Sequence, residues 1–142
     1  MTTQLSKNIS ENQCVFCGIV AHNIPHHEII WQDDMYLAFM DALPLKRGHV
    51  LVIPKQHIEH VLDMSEDIYD GLMKAARKIA APLKELLGAE YLCFVIEGRS
   101  VPHVHVHLIP LQKGESLGLR EPIESTVEDR AMIAVQLGSL VR

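Results

Sequence analysis

Along this chain, short apolar blocks give way to a stretch with a period near 3.6, and strict alternation returns around residue 105. Two of the early blocks, Glu28–Trp31 and Leu37–Met40, flank the turn-forming pair Asp33-Asp34 and predict two short strands. Val50-Leu51-Val52-Ile53 predicts a buried strand ended by Pro54. Asp41 to Gly48 is a loop punctuated by Pro44 and Gly48, and Cys14 to Ala21 reads as a knuckle leading into a short helix. Ser65 is a good N-cap, with Glu66 and Asp67 complementing the helix dipole behind it. Ile68, Leu72, Ala75, Ile79, Leu83 and Leu86 then mark one apolar face of a long helix that Gly88 stops. Pro82 lies inside that pattern and is expected to kink the helix or mark a second start. Tyr91–Ile96 predicts a strand, Glu97–Pro102 a tight loop, His103–Ile109 a last strand before Pro110, and Glu128–Leu140 an amphipathic helix.

Strand pairs around one long helix indicate an α+β fold with a mostly antiparallel sheet. The long helix joins Ile53 to Tyr91, and periodicity leaves the direction of that crossover open. Residues 1–13 read as a flexible polar arm and 14–142 as a single domain, without repeats or a second-domain linker.

Composition narrows the partners. The chain has 142 residues, 48% hydrophobic and 22% charged, an ordinary globular balance. Its formal net charge of −5 disfavours nonspecific nucleic-acid binding through a basic face. No apolar run approaches the roughly 20 residues that span a bilayer. Met1–Gln13 lacks the apolar region of a secretory signal, so the expectation is a cytoplasmic protein with neither a membrane nor a nucleic-acid partner. In that compartment Cys14 and Cys17, a Cys-x-x-Cys pair, suggest a metal site or redox pair rather than a structural disulfide. Cys93 lies in the apolar stretch Tyr91–Ile96 and reads as a buried small hydrophobe.

Nine histidines are many for this length, and three of them alternate in His103-Val104-His105-Val106-His107-Leu108. On a strand they share one face, at a pitch of roughly 6.5–7 Å, while Val104, Val106 and Leu108 face the core. A chance polar face, a three-histidine metal site and catalysis on phosphate all remain open. The last is favoured, because three side chains on one straight strand converge poorly on a tetrahedral ion. Neutral imidazole is a competent nucleophile near pH 7, and a neighbouring imidazolium can hold or protonate a phosphate oxygen.

His-φ-His-φ-His-φ-φ resembles the signature of the histidine triad (HIT) superfamily. Cys14-Val-Phe-Cys17, Ile24-Pro25, Leu37-Ala38-Phe39-Met40-Asp41 and Gly48-His49-Val-Leu-Val-Ile-Pro54-Lys55-Gln-His57 match in order, so the resemblance covers about Cys14 to Pro110. It implies a five-stranded antiparallel sheet with one long and one or more short helices, dimerised into a ten-stranded sheet. It further implies that His105 attacks the α-phosphorus to form a nucleotidyl-histidine intermediate, with a backbone carbonyl setting its tautomer. By the same resemblance His107 and Ser100 contact phosphate oxygens and His49 lies close to the cluster. Asp41 holds the two ribose hydroxyls, and Phe16, Ile19, Phe39 and Leu51 line the purine slot. Taken singly, those four apolar residues read as core more readily than as ligand contacts, and Asp41 or Ser100 as turn residues.

Cys14, Cys17, His57 and His103 have the ligand types of one structural zinc per chain, and a subset of HIT proteins resembles this arrangement. His60, one helical turn beyond His57, is the alternative ligand, whereas His22, His26 and His27 fall in a polar loop and read as solvated. The chain also departs from the family. Many HIT hydrolases carry Asn-x-Gly and Gly-Gln-x-Val ahead of the triad, but here the loop is the shorter Ile96-Glu97-Gly98-Arg99-Ser100-Val101-Pro102. Ile96 stands where the Asn is expected, and Arg99 is the candidate replacement contact to phosphate. The Trp-containing tail of the Hint branch is missing. The implied function is hydrolysis or transfer at the α-phosphate of a purine nucleoside monophosphate derivative, as in Hint-like or diadenosine polyphosphate hydrolases. The alternatives are a nucleotide-binding regulatory module without turnover and a structural zinc protein. Leaving group and base preference are not encoded in these motifs.

Overall fold

The computed structural model describes residues 13–22, 28–118 and 121–141. The expected arm as far as Asn12, the Ile24-Pro25 pair, and His26 and His27 lie outside the described residues. Five strands, β1 (Ile29–Gln32), β2 (Tyr36–Met40), β3 (Val50–Pro54), β4 (Tyr91–Ile96) and β5 (Val106–Leu111), form one sheet in the order β1-β2-β3-β5-β4. Every neighbouring pair is antiparallel, as expected for an α+β chain with hairpin links. Among the described residues three α-helices accompany them: α1 (Val15–Val20), α2 (Glu66–Leu87) and α3 (Val127–Leu140), with a 3-10 turn at Val61–Asp63 that the periodicity did not suggest. Helix α2 carries the chain from β3 to the far edge of the sheet. Strand β5 then inserts between the two, antiparallel to both, so β3 and β4 run the same way without touching.

Strands β2 and β3 are buried at every position because both faces of the sheet are covered. Ala38, Met40, Val50, Val52, Val106 and Leu108 pack against α2 and α3, whereas Leu37, Phe39, Leu51 and Ile53 face the opposite side with Cys14 and Phe16. Leu72, Ile79 and Leu83 of α2 are fully buried, each contributing about 1.5–3 kcal/mol by leaving water. Ser65 caps α2 by accepting from the Ile68 N–H at 3.3 Å, and Gly88 ends it at φ 60°. The helix runs through Pro82 without a second start. One missing N–H costs a single bond, and the buried apolar stripe on both sides holds the segments on one axis.

Helix α3 begins at Thr126, whose hydroxyl accepts from the Asp129 N–H at 3.0 Å, and buries Ile133, Ala134 and Leu137. Gly138 lets it lie directly on β1: a Cβ there would stand 2.9 Å from the Ile30 carbonyl oxygen. This close seat brings the first turn of α3 to the start of β1. No helix among the described residues is long and apolar enough to cross a membrane.

Candidate functional site

The expected histidine strand starts later than its sequence pattern. Pairing of β3 with β5 ends at Val52 opposite Val106. Before it, the Val104 N–H donates to the Ile58 carbonyl at 2.8 Å and the His103 N–H to the Val101 carbonyl at 2.8 Å. The alternation survives without the ladder: Val104, Val106 and Leu108 enter the core, and the three histidines take the other face. They do not make one comb. His103 turns into a cluster with the cysteines, whereas His105 and His107 stay together with ring centroids 4.8 Å apart. The Phe16 ring meets both groups edge-on, 5.9 Å from His103 and 5.1 Å from His105.

Backbone groups fix the histidine tautomers, since a carbonyl can only accept and an amide N–H can only donate. His105 Nδ1 lies 2.7 Å from the His103 carbonyl oxygen, so Nδ1–H donates and Nε2 keeps its lone pair. The Leu45 N–H donates to His49 Nδ1 at 3.0 Å, so His49 carries its proton on Nε2. That Nε2–H donates to His107 Nδ1 at 2.9 Å, with an Asp41 oxygen at 3.4 Å, which leaves the proton of His107 on Nε2. Asp41, His49 and His107 have the spacing of a metal group, but the Leu45 amide forces His49 Nε2 to be a donor. A proton, not an ion, joins these two rings.

Burial pushes His49, His103, His105 and His107 towards the neutral form. For His107 burial is the largest cause, followed by the neighbouring His105 and His49, and it takes the ring from 6.5 down to about 4. The site therefore presents neutral donors and lone pairs near pH 7, rather than the imidazolium considered from sequence. Above pH 6.5 His107 is neutral in both folded and unfolded chains. As pH falls from there towards 4, the unfolded chain takes up a proton that the folded one refuses, and stability is lost. Denaturant midpoints should fall between pH 7.5 and pH 5, and His107→Gln should remove on the order of 1–2 kcal/mol of that fall. An unchanged pH profile in the variant would contradict this.

Cys14 Sγ, Cys17 Sγ, His57 Nδ1 and His103 Nδ1 all lie within 4.8 Å of one another. Cys14 Sγ is 3.4 Å and Cys17 Sγ 3.5 Å from His103 Nδ1, and Cys17 Sγ is 3.3 Å from His57 Nδ1. A tetrahedral ion with bonds of about 2.0–2.3 Å separates its ligands by roughly 3.5 Å, so the set could hold one. The outer nitrogens agree. His103 Nε2–H donates to the Pro54 carbonyl at 2.8 Å, which leaves Nδ1 as the lone-pair atom. His57 Nε2 is buried without a hydrogen bond, with Glu59 Oε2 3.6 Å away. His57 rather than His60 joins the cluster.

A cavity of about 610 Å³ opens beside the histidines. Of the residues singled out from sequence, Phe16, Ile19, Phe39, Asp41, His49, Leu51, Ser100, His105 and His107 line it. Phe16, Phe39 and Leu51 are also part of a small core, so both readings of them hold. Asp41 Oδ1 accepts from the Leu43 N–H at 2.9 Å, the turn role, while the same side chain faces the cavity. Arg99 is not among the lining residues: its exposed guanidinium lies against Glu97, with Nε 3.1 Å from Oε2.

Two charged lining residues were missed, Glu28 and Arg130. The Glu28 side chain is buried and that of Arg130 partly so, and they are paired, Arg130 Nε donating to Glu28 Oε1 at 2.6 Å. A signal existed. Glu28 has the parity of core-facing Ile30, and Arg130 is in phase with Ile133, Ala134 and Leu137. Opposite charges placed on two apolar stripes call for each other.

The sequence pattern described as the HIT domain matches residues 22–114, well over half of the chain. The chain belongs to the HIT family. Relatives include Protein hit of Bacillus subtilis, 38% identical over 111 residues, 74% of this chain and 76% of that protein. Among solved structures, a Hit-like protein involved in cell-cycle regulation from Bartonella henselae, with an unknown ligand, superposes with TM-score 0.81 at 28% identity, over 90% of this chain and 96% of that one. A Zn-bound histidine triad family protein from Mycobacterium smegmatis gives TM-score 0.78 at 29% identity, over 92% and 97% of the two chains. The HIT fold expected from the motifs is thus the fold observed, Cys14 and Cys17 included.

Proposed function

We propose that this HIT protein hydrolyses a purine nucleoside monophosphate derivative at its α-phosphorus through a nucleotidyl-histidine intermediate. One observation carries the reading: His105 holds its Nδ1 proton on the His103 carbonyl, at 2.7 Å, and so keeps Nε2 as a lone-pair atom beside the cavity. In the first step Nε2 bonds to phosphorus and the bond to the leaving group breaks. The ring becomes cationic, and the His103 carbonyl on its Nδ1–H stabilises that charge. The chain Leu45 N–H, His49, His107 directs the His107 Nε2–H outward as a donor for a phosphate oxygen, and Ser100 on the cavity rim is a second donor. Water then cleaves the adduct and releases the nucleoside monophosphate.

Zinc fits Cys14, Cys17, His57 and His103, and the Zn-bound M. smegmatis neighbour supports that identity. Bound there it is structural, closing the knuckle onto the sheet and leaving the chemistry to the histidines. Two copies would pair through β4, a sheet edge that exposes Tyr91 (62%) and Phe94 (41%), to make the ten-stranded sheet. The setting is proposed to be cytoplasmic.

The test is a substrate screen of adenosine and guanosine phosphoramidates, dinucleoside polyphosphates and adenylyl sulfate, followed by alkaline quench and intact-protein mass measurement. A nucleotidyl adduct on His105 is expected. Binding without an adduct would make the protein a nucleotide-binding regulatory module instead.

Asp41 is proposed to hold the ribose through hydrogen bonds of about 1.5–3 kcal/mol each. Asp41→Ala should weaken ribonucleotides by roughly tenfold or more and 2′-deoxyribonucleotides far less, because the deoxy sugar has already lost one bond. Four dissociation constants decide it. Equal losses for both sugars, with circular dichroism unchanged, would leave Asp41 a turn residue only.

A further inference from the structure

We infer that Glu28 and Arg130 read the edge of the nucleobase and favour guanine over adenine; this rests on the cavity being a nucleotide slot. The sheet order places the pair. His105 and His107 belong to β5 and its approach, Asp41 follows β2, and Glu28 immediately precedes β1, with β3 lying between β5 and β2. From β5 to β1 is three strand spacings, roughly 14 Å. A nucleotide with phosphorus at His105 and its sugar at Asp41 points its base towards β1. The backbone agrees, since the Met40 N–H, next to Asp41, donates to the Glu28 carbonyl at 2.9 Å.

At that end the lining is not apolar. The Glu28 and Arg130 side chains are 7% and 12% exposed, lie 2.6 Å apart, and both reach the cavity. Arg130 is further held by Ser125 through Nη1, so these two bonds engage Nε and Nη1 and do not use the Nη2 donors. Helix α3 is locked in place by Arg47, whose Nε and Nη2 each meet Asp129 at 2.9 Å. The pair is therefore a pre-set acceptor beside a pre-set donor.

A carboxylate only accepts, through two oxygens, and a guanidinium only donates. Guanine presents two adjacent donors, N1–H and the 2-amino group, followed by the O6 acceptor, which matches Glu28 and then Arg130. Adenine presents a single 6-amino donor between two ring-nitrogen lone pairs, one of which would face a carboxylate oxygen. Hypoxanthine keeps N1–H and O6 but lacks the 2-amino group, so it should fall between.

The experiment is calorimetric titration of the full chain with GMP, IMP and AMP. GMP should bind about tenfold or more tighter than AMP, with IMP intermediate, one charge-assisted bond per step. Glu28→Gln keeps an acceptor for Arg130 but replaces one oxygen by a donor, and it should bring GMP and AMP to within about threefold of each other. The wild-type series decides the matter even if that variant folds poorly. AMP binding as tightly as GMP would overturn the inference and leave the nucleotide slot standing, as would a folded Glu28→Gln chain with an unchanged ratio. Failure of all three nucleotides to bind would overturn the slot and the inference together.

Discussion

Replacing His105 by Gly is expected to lower turnover by several orders of magnitude while nucleotide affinity stays within a few-fold of wild type. The expectation follows from what each ring nitrogen already does. His107 Nδ1 is committed to His49, and the proton on its other nitrogen makes that atom a donor. His49 Nδ1 is held by the Leu45 amide, and His103 Nε2 by the Pro54 carbonyl. Among the triad and His49, His105 Nε2 is thus the nitrogen with both a lone pair and access to the cavity, so no neighbour can take over the covalent step. Glycine removes the ring without adding bulk beside Phe16, whose ring packs 5.1 Å from it, and the slot for the sugar and base is preserved. Single-turnover kinetics and equilibrium binding on the same preparation separate the two effects. Turnover within tenfold of wild type would refute the assignment, and lost binding in a folded variant would mean the ring holds the ligand rather than attacking it.

The second large effect concerns the metal. Protein purified without added metal should contain one zinc per chain, and Cys17→Ala should lower Tm by on the order of 10 °C. Cys17 is the critical ligand because its sulfur lies within 3.5 Å of both His57 Nδ1 and His103 Nδ1, bridging segments 40 and 86 residues away. Without it, Cys14, His57 and His103 form an incomplete set, while Cys14 Sγ keeps its α1 cap because the bond comes from the backbone N–H of residue 17. The main core of α2, α3 and the sheet does not involve the knuckle, so the chain should still fold. Chemistry should suffer less than stability, and only through the loosened contact of Phe16 with His105. Elemental analysis and thermal melts test this. Metal-free protein with both thiols freely titratable, or a Cys17→Ala melt identical to wild type, would show that these cysteines hold no ion.

Much of this could be read from local pattern. Strands β2, β3 and β4, the caps of α2 and the inward face of Val104, Val106 and Leu108 follow from periods of 2 and 3.6, which are properties of neighbouring residues. The cluster of Cys14, Cys17, His57 and His103 was legible as a candidate metal group because those residue types have few other uses together. Long-range pairing decided the rest. His103 leaves the expected strand because the Ile58 carbonyl, 46 positions away, takes the Val104 amide, and its ring then faces the cysteines instead of extending a comb. Arg99 lies beside Glu97 rather than in the cavity, since a charge on an exposed loop pairs with the nearest opposite charge. Glu28 and Arg130, 102 residues apart, meet because α3 packs on β1, where Gly138 seats it against the Ile30 carbonyl. Alternation tells which face a side chain takes; which distant side chain it finds there depends on register and crossover, and those are settled by packing of the whole sheet.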